Sequence, residues 1–121
     1  MTPTPPADRE LKRGVLELVL LRLLQDRPAY GYELVSEIAR RTEGELEIKE
    51  GTLYPLLYRL EEQGLVATSW ETPERGAPRK YYRITEVGEQ AFAERTERWR
   101  RFRDRVDAVL EPGAREKKGE E

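Results

Sequence analysis

The stretch KEGTLYPLLYRLEEQGL, residues 49–65, decides how the rest of the chain is interpreted. Its leucines recur at positions i, i+3, i+4 and i+7, the spacing of one buried face of an α-helix. These leucines are Leu53, Leu56, Leu57 and Leu60. The side away from them carries Tyr54, Tyr58 and Arg59. A short helix with aromatic and basic residues on its outside is expected to contact a partner through that face.

The composition excludes most classes of enzyme. The chain has 121 residues, which corresponds to one domain, and it contains no cysteine and no histidine. Disulfide frameworks, thiolate metal sites and nucleophiles activated by imidazole are therefore excluded. The two serines, Ser36 and Ser69, have no activating base, and no glycine-rich phosphate loop is present. We predict a protein that is not an enzyme and has no metal site and no cofactor.

Neither the N-terminus nor the most apolar segment indicates a membrane protein. The sequence MTPTPPADRE lacks the basic start and apolar run of a secretory signal. The segment 15–24 contains Glu17 and Arg22 and is too short to span a bilayer. We therefore expect a soluble cytoplasmic protein without a membrane partner.

The first helix follows a tail, residues 1–8, that is rich in proline and threonine and is predicted to be disordered. Asp8 is suited to an N-cap, so this helix is predicted to begin near Arg9 or Leu11 and to end before Pro28. Segment 15–24 is apolar in eight of its ten positions, which indicates burial on every side. We predict that a second subunit covers one side. The residues assigned to this contact are Leu16, Leu20 and Leu23. The alternative is a central helix wrapped by its own domain.

A second helix is predicted from Tyr30 or Gly31 to Thr42, with Gly44 at its C-cap. The third helix carries the four leucines and is stopped by Gly64. Two runs rich in β-branched and aromatic residues follow, LVATSWE and RKYYRI, separated by TPERGAP. They predict a two-stranded hairpin with a long tip, packed on the three helices.

The last helix is predicted to begin after Thr85 and to reach Leu110, with residues 111–121 as a frayed tail. Apolar residues recur there with a heptad spacing that indicates a dimer seam, interrupted by Arg95. The seam consists of Phe92, Trp99, Phe102, Val106 and Val109. Trp99 and Phe102 either complete the dimer core or line an apolar ligand pocket. The cations Arg98, Arg101 and Arg105 form an outer stripe that is interpreted as a solvated face.

The order helix, helix, helix, hairpin, helix predicts a mainly α fold with a small β-hairpin. It is a winged helix-turn-helix domain at residues 9–84 with a C-terminal dimerisation helix at 85–110. In this fold the third helix enters the DNA major groove. Hydroxyl groups of Thr52 and Tyr54 then reach phosphates or bases, and Arg59 pairs with guanine or phosphate. The alternative is that the tyrosines fill gaps between the helix and the wing.

Charge is distributed in a way that favours nucleic acid despite a net charge of −2. Residues 75–83 contain four cations and no acid, and these are Arg75, Arg79, Lys80 and Arg83. A basic wing beside the third helix supplies the salt-dependent part of DNA affinity. The alternative is a solvated loop with no partner. Glu61 and Glu62, at the far end of the third helix, are expected to point away from phosphate.

The sequence resembles the PadR-like family of transcriptional regulators over about residues 11–88. The resemblance rests on KRGVLELVLLRLL, YGYEL, EGTLYPLLYRLEEQGLV and GAPRKYYRITEVG, in that order. It implies a homodimer that binds a palindromic operator in double-stranded DNA and usually represses, in some members released by a small aromatic effector near Trp99. The single last helix resembles the compact subgroup of the family.

Carried onto this chain, the family's helix-turn-helix signature includes Tyr32, Thr52, Tyr54, Pro55 and Arg59, and its wing signature includes Arg79, Lys80 and Tyr82. The family's recognition helix begins a few residues before Thr52, whereas Pro55 is most easily accommodated if Thr52 is the N-cap. The start is therefore left open between Lys49 and Thr52, with a kink expected at Pro55. The predicted DNA-binding residues are Tyr32, Lys49, Thr52, Tyr54, Pro55, Tyr58, Arg59, Arg75, Arg79 and Lys80. The competing hypothesis is a winged-helix module that binds another protein.

Overall fold

A computed structural model describes residues 6–111, with side chains from residue 14 onward. The elements are α1 (Pro6–Asp26), β1 (Ala29–Tyr30), α2 (Gly31–Arg41), α3 (Glu50–Glu62), β2 (Val66–Glu71), β3 (Arg79–Ile84) and α4 (Glu86–Leu110). This is the predicted winged helix with a long C-terminal helix. Within residues 6–111, no helix combines the length and hydropathy that crossing a membrane requires.

Helix α1 begins earlier than the sequence indicated. It starts at Pro6 rather than near Arg9 or Leu11, so residues 6–8 of the predicted tail form its first turn. Proline suits the first position of a helix because its missing N–H has no intrahelical partner there. The rest of the predicted N-terminal tail, and the C-terminal tail after Glu111, lie outside the described residues.

The sheet has a third strand that the sequence did not reveal. The strand order is β1-β3-β2 and both pairings are antiparallel. Strand β1 pairs Ala29 with Tyr82 and Tyr30 with Tyr81. A strand of two residues is too short to show a period, and its partner is distant in sequence, so only the tertiary structure defines it. It fastens the predicted hairpin to the start of α2.

The core is built around the leucine face of α3. Leu53, Leu57 and Leu60 have no exposed surface and Leu56 retains 3%. One face of helix α1 is buried by this same domain, while Leu18 and Val19 stay partly exposed. The exposed fractions of its predicted dimer contacts are 5% for Leu16, 0% for Leu20 and 6% for Leu23. The prediction that they face a second subunit is wrong for this reason: the surface of all three is already covered inside the single chain.

Both ends of α3 are defined by the backbone. The start of the helix, left open between Lys49 and Thr52, falls at Lys49, which is the N-cap, and α3 continues through Pro55. At the C-terminal end Gly64 has φ 75°, and Leu65 donates its backbone N–H to the Leu60 carbonyl at 2.9 Å. This is the Schellman arrangement, in which a glycine takes the left-handed position.

Helix α2 ends in the same arrangement one residue earlier than expected. The predicted C-cap glycine, Gly44, follows Glu43, and Glu43 itself takes the first left-handed position with φ 52°. The Gly44 backbone N–H then donates to the Ala39 carbonyl at 2.8 Å.

Helix α4 is anchored at the corner between α3 and β2. The Thr85 hydroxyl donates to the Gly64 carbonyl at 2.6 Å and accepts from the Gly88 N–H at 3.0 Å, as the N-cap prediction requires. Gly88 is buried. A Cβ at this position would overlap the Leu65 carbonyl oxygen and lie 2.8 Å from Ile84 Cγ1. The absence of a side chain therefore lets α4 start directly against the sheet.

We expect Gly88→Ala to lower the free energy of unfolding by about 2 kcal/mol, because the added methyl group must displace backbone rather than a flexible side chain. Gly14→Ala is the matched control in a helix, since, apart from its own helix backbone and chain neighbours, no described atom lies within 4 Å of its Cβ position. That control should raise stability by up to ~1 kcal/mol through helix propensity. Urea unfolding followed by circular dichroism measures both. Equal effects of the two substitutions would contradict the close approach at Gly88.

Candidate nucleic-acid interface

The outer face of α3 and the hairpin enclose an open groove with a volume of about 560 Å³. Aromatic side chains dominate its lining, with two cations and one acid at its edges. The lining residues are Tyr30, Gly31, Tyr54, Tyr58, Glu61, Trp70, Pro78, Arg79, Lys80 and Tyr82. Four of the predicted site residues, Tyr54, Tyr58, Arg79 and Lys80, are thus brought together here.

Tyr54 and Tyr58 differ in how they meet this groove. Tyr54 lies over the first residue of α2: its hydroxyl oxygen is 2.5 Å from the position a Cβ on Gly31 would take. It keeps 45% of its surface exposed, against 61% for Tyr58. The packing alternative therefore accounts for one edge of Tyr54, while Tyr58 projects further from the domain.

The two cations of the groove rest on aromatic rings. The Arg79 guanidinium lies 4.6 Å from the ring centroid of Tyr30, and Lys80 Nζ lies 5.6 Å from that of Tyr82. The Tyr30 ring in turn meets Tyr81 edge to face at 5.4 Å. Such cation–π contacts hold a charged head group in place while leaving it available to an anion.

Tyr82 closes the floor of the groove. It is buried, and burial raises the pKa of its hydroxyl above the ordinary value, with smaller contributions from Tyr54 and Glu61. Like any tyrosine hydroxyl, it is protonated at neutral pH and can donate a hydrogen bond.

The acid in the groove is a correction to the sequence analysis. Glu61 was expected to point away from a bound phosphate, yet it lines the groove. The Thr68 hydroxyl donates to its Oε2 at 2.9 Å, which fixes this carboxylate against β2. The reason is its helical position. Glu61 follows Tyr58 by three residues, about one turn, so it lies on the same side of α3, next to the hairpin.

Two further lining residues escaped the sequence analysis. Trp70 is 68% exposed on β2 and pairs across the sheet with Lys80. It shares one face of β2 with Thr68, which the alternation of a strand would have shown had the hairpin register been known. Tyr30 contributes through β1, the strand that carried no sequence signal.

The remaining predicted residues lie around the groove rather than in it. Thr52, Pro55 and Arg59 do not line the groove, and the Arg59 guanidinium is 3.8 Å from Glu17 of α1. The others occupy exposed positions on three different segments. They are Tyr32 in the first turn of α2, Lys49 at the N-cap of α3 and Arg75 in the hairpin tip.

A second feature of the surface is the distal half of α4. Trp99, Phe102, Val106 and Val109 are exposed by 36%, 62%, 37% and 72%. Phe92, the first residue of the predicted seam, instead packs against the chain's own core, because this part of α4 still lies on the domain. Arg95, which interrupts the seam, donates to Gln63 Oε1 at 3.1 Å.

Between α1 and α4 lies an open cavity of about 430 Å³. Trp99 and Phe102 line it, as does Arg98, which the sequence analysis had assigned to a solvated face. Glu17 and Arg95 contribute opposite charges to its wall. No cluster of acidic side chains suited to a metal ion occurs in the part of the chain that the structure describes.

A recognition helix flanked by a basic, aromatic wing defines the class of winged-helix transcriptional regulators. Residues 20–94 match the model of the transcriptional regulator PadR-like family. The chain belongs to this family, and the expectation that it is not an enzyme is confirmed.

Individual relatives agree with this assignment. A PadR family regulator from Eggerthella lenta has a crystal structure that superposes with a TM-score of 0.76 at 41% identity, covering 87% of this chain and 89% of that one. The transcriptional regulator Rv3488 of Mycobacterium tuberculosis is 34% identical, over 71% of this chain and 77% of its own. The Escherichia coli regulator YqjI is 33% identical over 78% of this chain, which spans 44% of that longer protein.

Proposed function

We propose that the protein is a homodimeric repressor that binds a palindromic operator through α3 and the hairpin. The observation that carries this proposal is the groove between them, where Arg79 and Lys80 stand beside the exposed Tyr58. Cations held at a groove edge suit the phosphate backbone, and hydroxyl groups suit phosphate or base edges. The first turns of α3 then enter the major groove, with Thr52 and Tyr54 directed to the duplex.

Dimerisation is proposed through the distal half of α4. Its exposed apolar residues form a stripe whose contact with water is unfavourable, and a second copy of the helix would cover that stripe. A two-fold dimer presents two recognition helices to half-sites about one helical turn apart, ~10 bp between centres.

An effector is proposed to act at the cavity between α1 and α4. Trp99 and Phe102 provide aromatic faces there, which favours a small aromatic compound. Such a compound releases DNA only if it binds more tightly to a dimer geometry whose half-site spacing is mismatched.

The DNA interface is tested by substitutions in the groove. We expect Tyr54→Ala to weaken operator binding by about 1.5 kcal/mol, the contribution of a hydrogen bond to a charged group. Arg79→Ala should flatten the slope of log affinity against log salt by about 0.9, the effect of one lost phosphate contact. Fluorescence anisotropy with a duplex selected from random sequences measures both.

Arg22→Ala is the control, because it removes an exposed cation of α1 that does not line the groove. Equal slopes for Arg79→Ala and Arg22→Ala would contradict the assignment of Arg79. A salt-independent affinity, or none, for the wild-type protein would instead favour the protein-binding module.

The dimer is tested by placing a charge on the apolar stripe. We expect Phe102→Glu to give a monomer in sedimentation equilibrium, because a carboxylate there would be buried unpaired. Gln90→Glu makes the same charge change at an exposed position nearer the start of α4 and should leave the dimer intact. A dimeric Phe102→Glu protein would refute the proposed interface.

The effector site is tested by tryptophan fluorescence. The chain has two tryptophans, so Trp99→Phe leaves only Trp70. We expect planar aromatic compounds such as p-coumarate or ethidium to quench the wild-type protein more than the Trp99→Phe variant. Identical quenching of the two proteins across such a panel would sink the pocket hypothesis.

A further inference from the structure

Glu17 of α1 lies where three helices meet, at the wall of the cavity between α1 and α4. Its side chain is only 14% exposed, and each carboxylate oxygen faces an arginine from a different helix. Oε1 lies 3.8 Å from Arg59 Nη2 on α3, and Oε2 lies 3.6 Å from Arg95 Nη1 on α4. One acid therefore connects the recognition helix to the helix that carries the apolar stripe.

The contacts of Glu17 are ion pairs without close hydrogen bonds. Both distances exceed the 2.7–3.2 Å typical of N–H···O bonds. Oε1 is fully covered and has no hydrogen-bond partner among the described residues. A covered carboxylate oxygen gains from a shorter contact, so a small movement of either arginine is favoured. Because two guanidinium groups share one carboxylate, an approach by one competes with the other.

Arg59 is held loosely enough to change partners. Its side chain is 44% exposed, so the guanidinium is open to an anion from solvent while it stays within reach of Glu17. Arg95 is less exposed, at 31%, and its second contact with Gln63 at 3.1 Å keeps it near the end of α3. The exchangeable member of the group is therefore Arg59.

We propose that Glu17 is a positioning residue for DNA binding, which holds Arg59 against α1 and makes its release depend on where α4 places Arg95. When Arg95 approaches Glu17, the carboxylate is occupied and Arg59 is free for phosphate. When α4 carries Arg95 away, Glu17 retains Arg59. This inference rests on the proposed function, and it assigns a route by which the dimer helix alters affinity for DNA.

The test is a double-mutant cycle on DNA binding. We expect Glu17→Gln to steepen the salt slope by about 0.9, because the freed Arg59 adds one phosphate contact. Glu94→Gln is the matched control: it removes an acid from an exposed position of α4 that has no ion pair among the described residues. In an Arg59→Gln background, Glu17→Gln should leave the slope unchanged.

Substitution of Arg95 on α4 is predicted to change the salt slope in the opposite direction. Arg95→Gln should flatten the slope in the wild-type background, because Glu17 then holds Arg59 alone, and should have no effect in the Glu17→Gln background. Arg100→Gln, which removes an exposed cation further along α4 that does not line the cavity, controls for the loss of positive charge. Circular dichroism at the assay temperature establishes that each variant is folded. Arg59→Gln removes the other member of the Glu17–Arg59 pair, and it does so at the more exposed side chain.

The outcomes separate this inference from the function on which it depends. If the wild-type protein binds the selected duplex but Glu17→Gln and Glu94→Gln give the same slope, the positioning role is overturned and the DNA-binding function stands. If the effect of Glu17→Gln persists without Arg59, Glu17 acts through general electrostatics and the proposal is equally overturned. If the wild-type protein binds no duplex, both proposals fall together.

Discussion

The burial of the leucine face of α3 is the constraint on which the rest of the structure depends. Leu53, Leu57 and Leu60 lose all their exposed surface, and burying a leucine side chain contributes about 1.5–3 kcal/mol each. Once these side chains are inside, the helical period leaves no choice about which residues lie outside. Tyr54 and Tyr58 must then border the hairpin, and Arg59 must lie toward α1. The recognition surface is thus a consequence of core packing.

A second constraint links that surface to α4. Gly64 and Leu65 follow the end of α3. At the start of α4, the Thr85 hydroxyl donates to the Gly64 carbonyl, and Gly88, which has no side chain, packs against the Leu65 carbonyl. Helix α4, which carries the apolar stripe, therefore begins beside the C-terminal end of α3. The Glu17 ion pairs add a contact between α3 and α4 further along. A movement of α4 relative to the domain acts on both places, so the proposed dimer helix has a direct physical route to α3.

How far the sequence predicted the site follows from the range of the interactions involved. Periodicity and turn chemistry are local, so the leucine face, the stop at Gly64 and the cap at Thr85 were correctly placed. The start of α3 stayed open between Lys49 and Thr52, because the cap rule for Pro55 favoured Thr52, and the structure places it after Lys49. Apolar residues on every side of α1 suggested a partner, yet Leu20 is buried by its own domain. Periodicity predicts that a face is buried, but it does not show whether the same chain or a partner covers that face.

The sequence by itself determined the order of the four helices and the hairpin, the class of fold and the family, since these depend on spacing and on motifs along the chain. Only the tertiary structure decided which residues share a groove. Trp70, Tyr30 and Glu61 join Tyr54 and Arg79 there because a two-residue strand and the hairpin register bring them together. The same holds for Glu17, whose partners Arg59 and Arg95 lie on other helices. Contacts between residues far apart in the chain leave no periodic trace, so they appear only once the chain is folded.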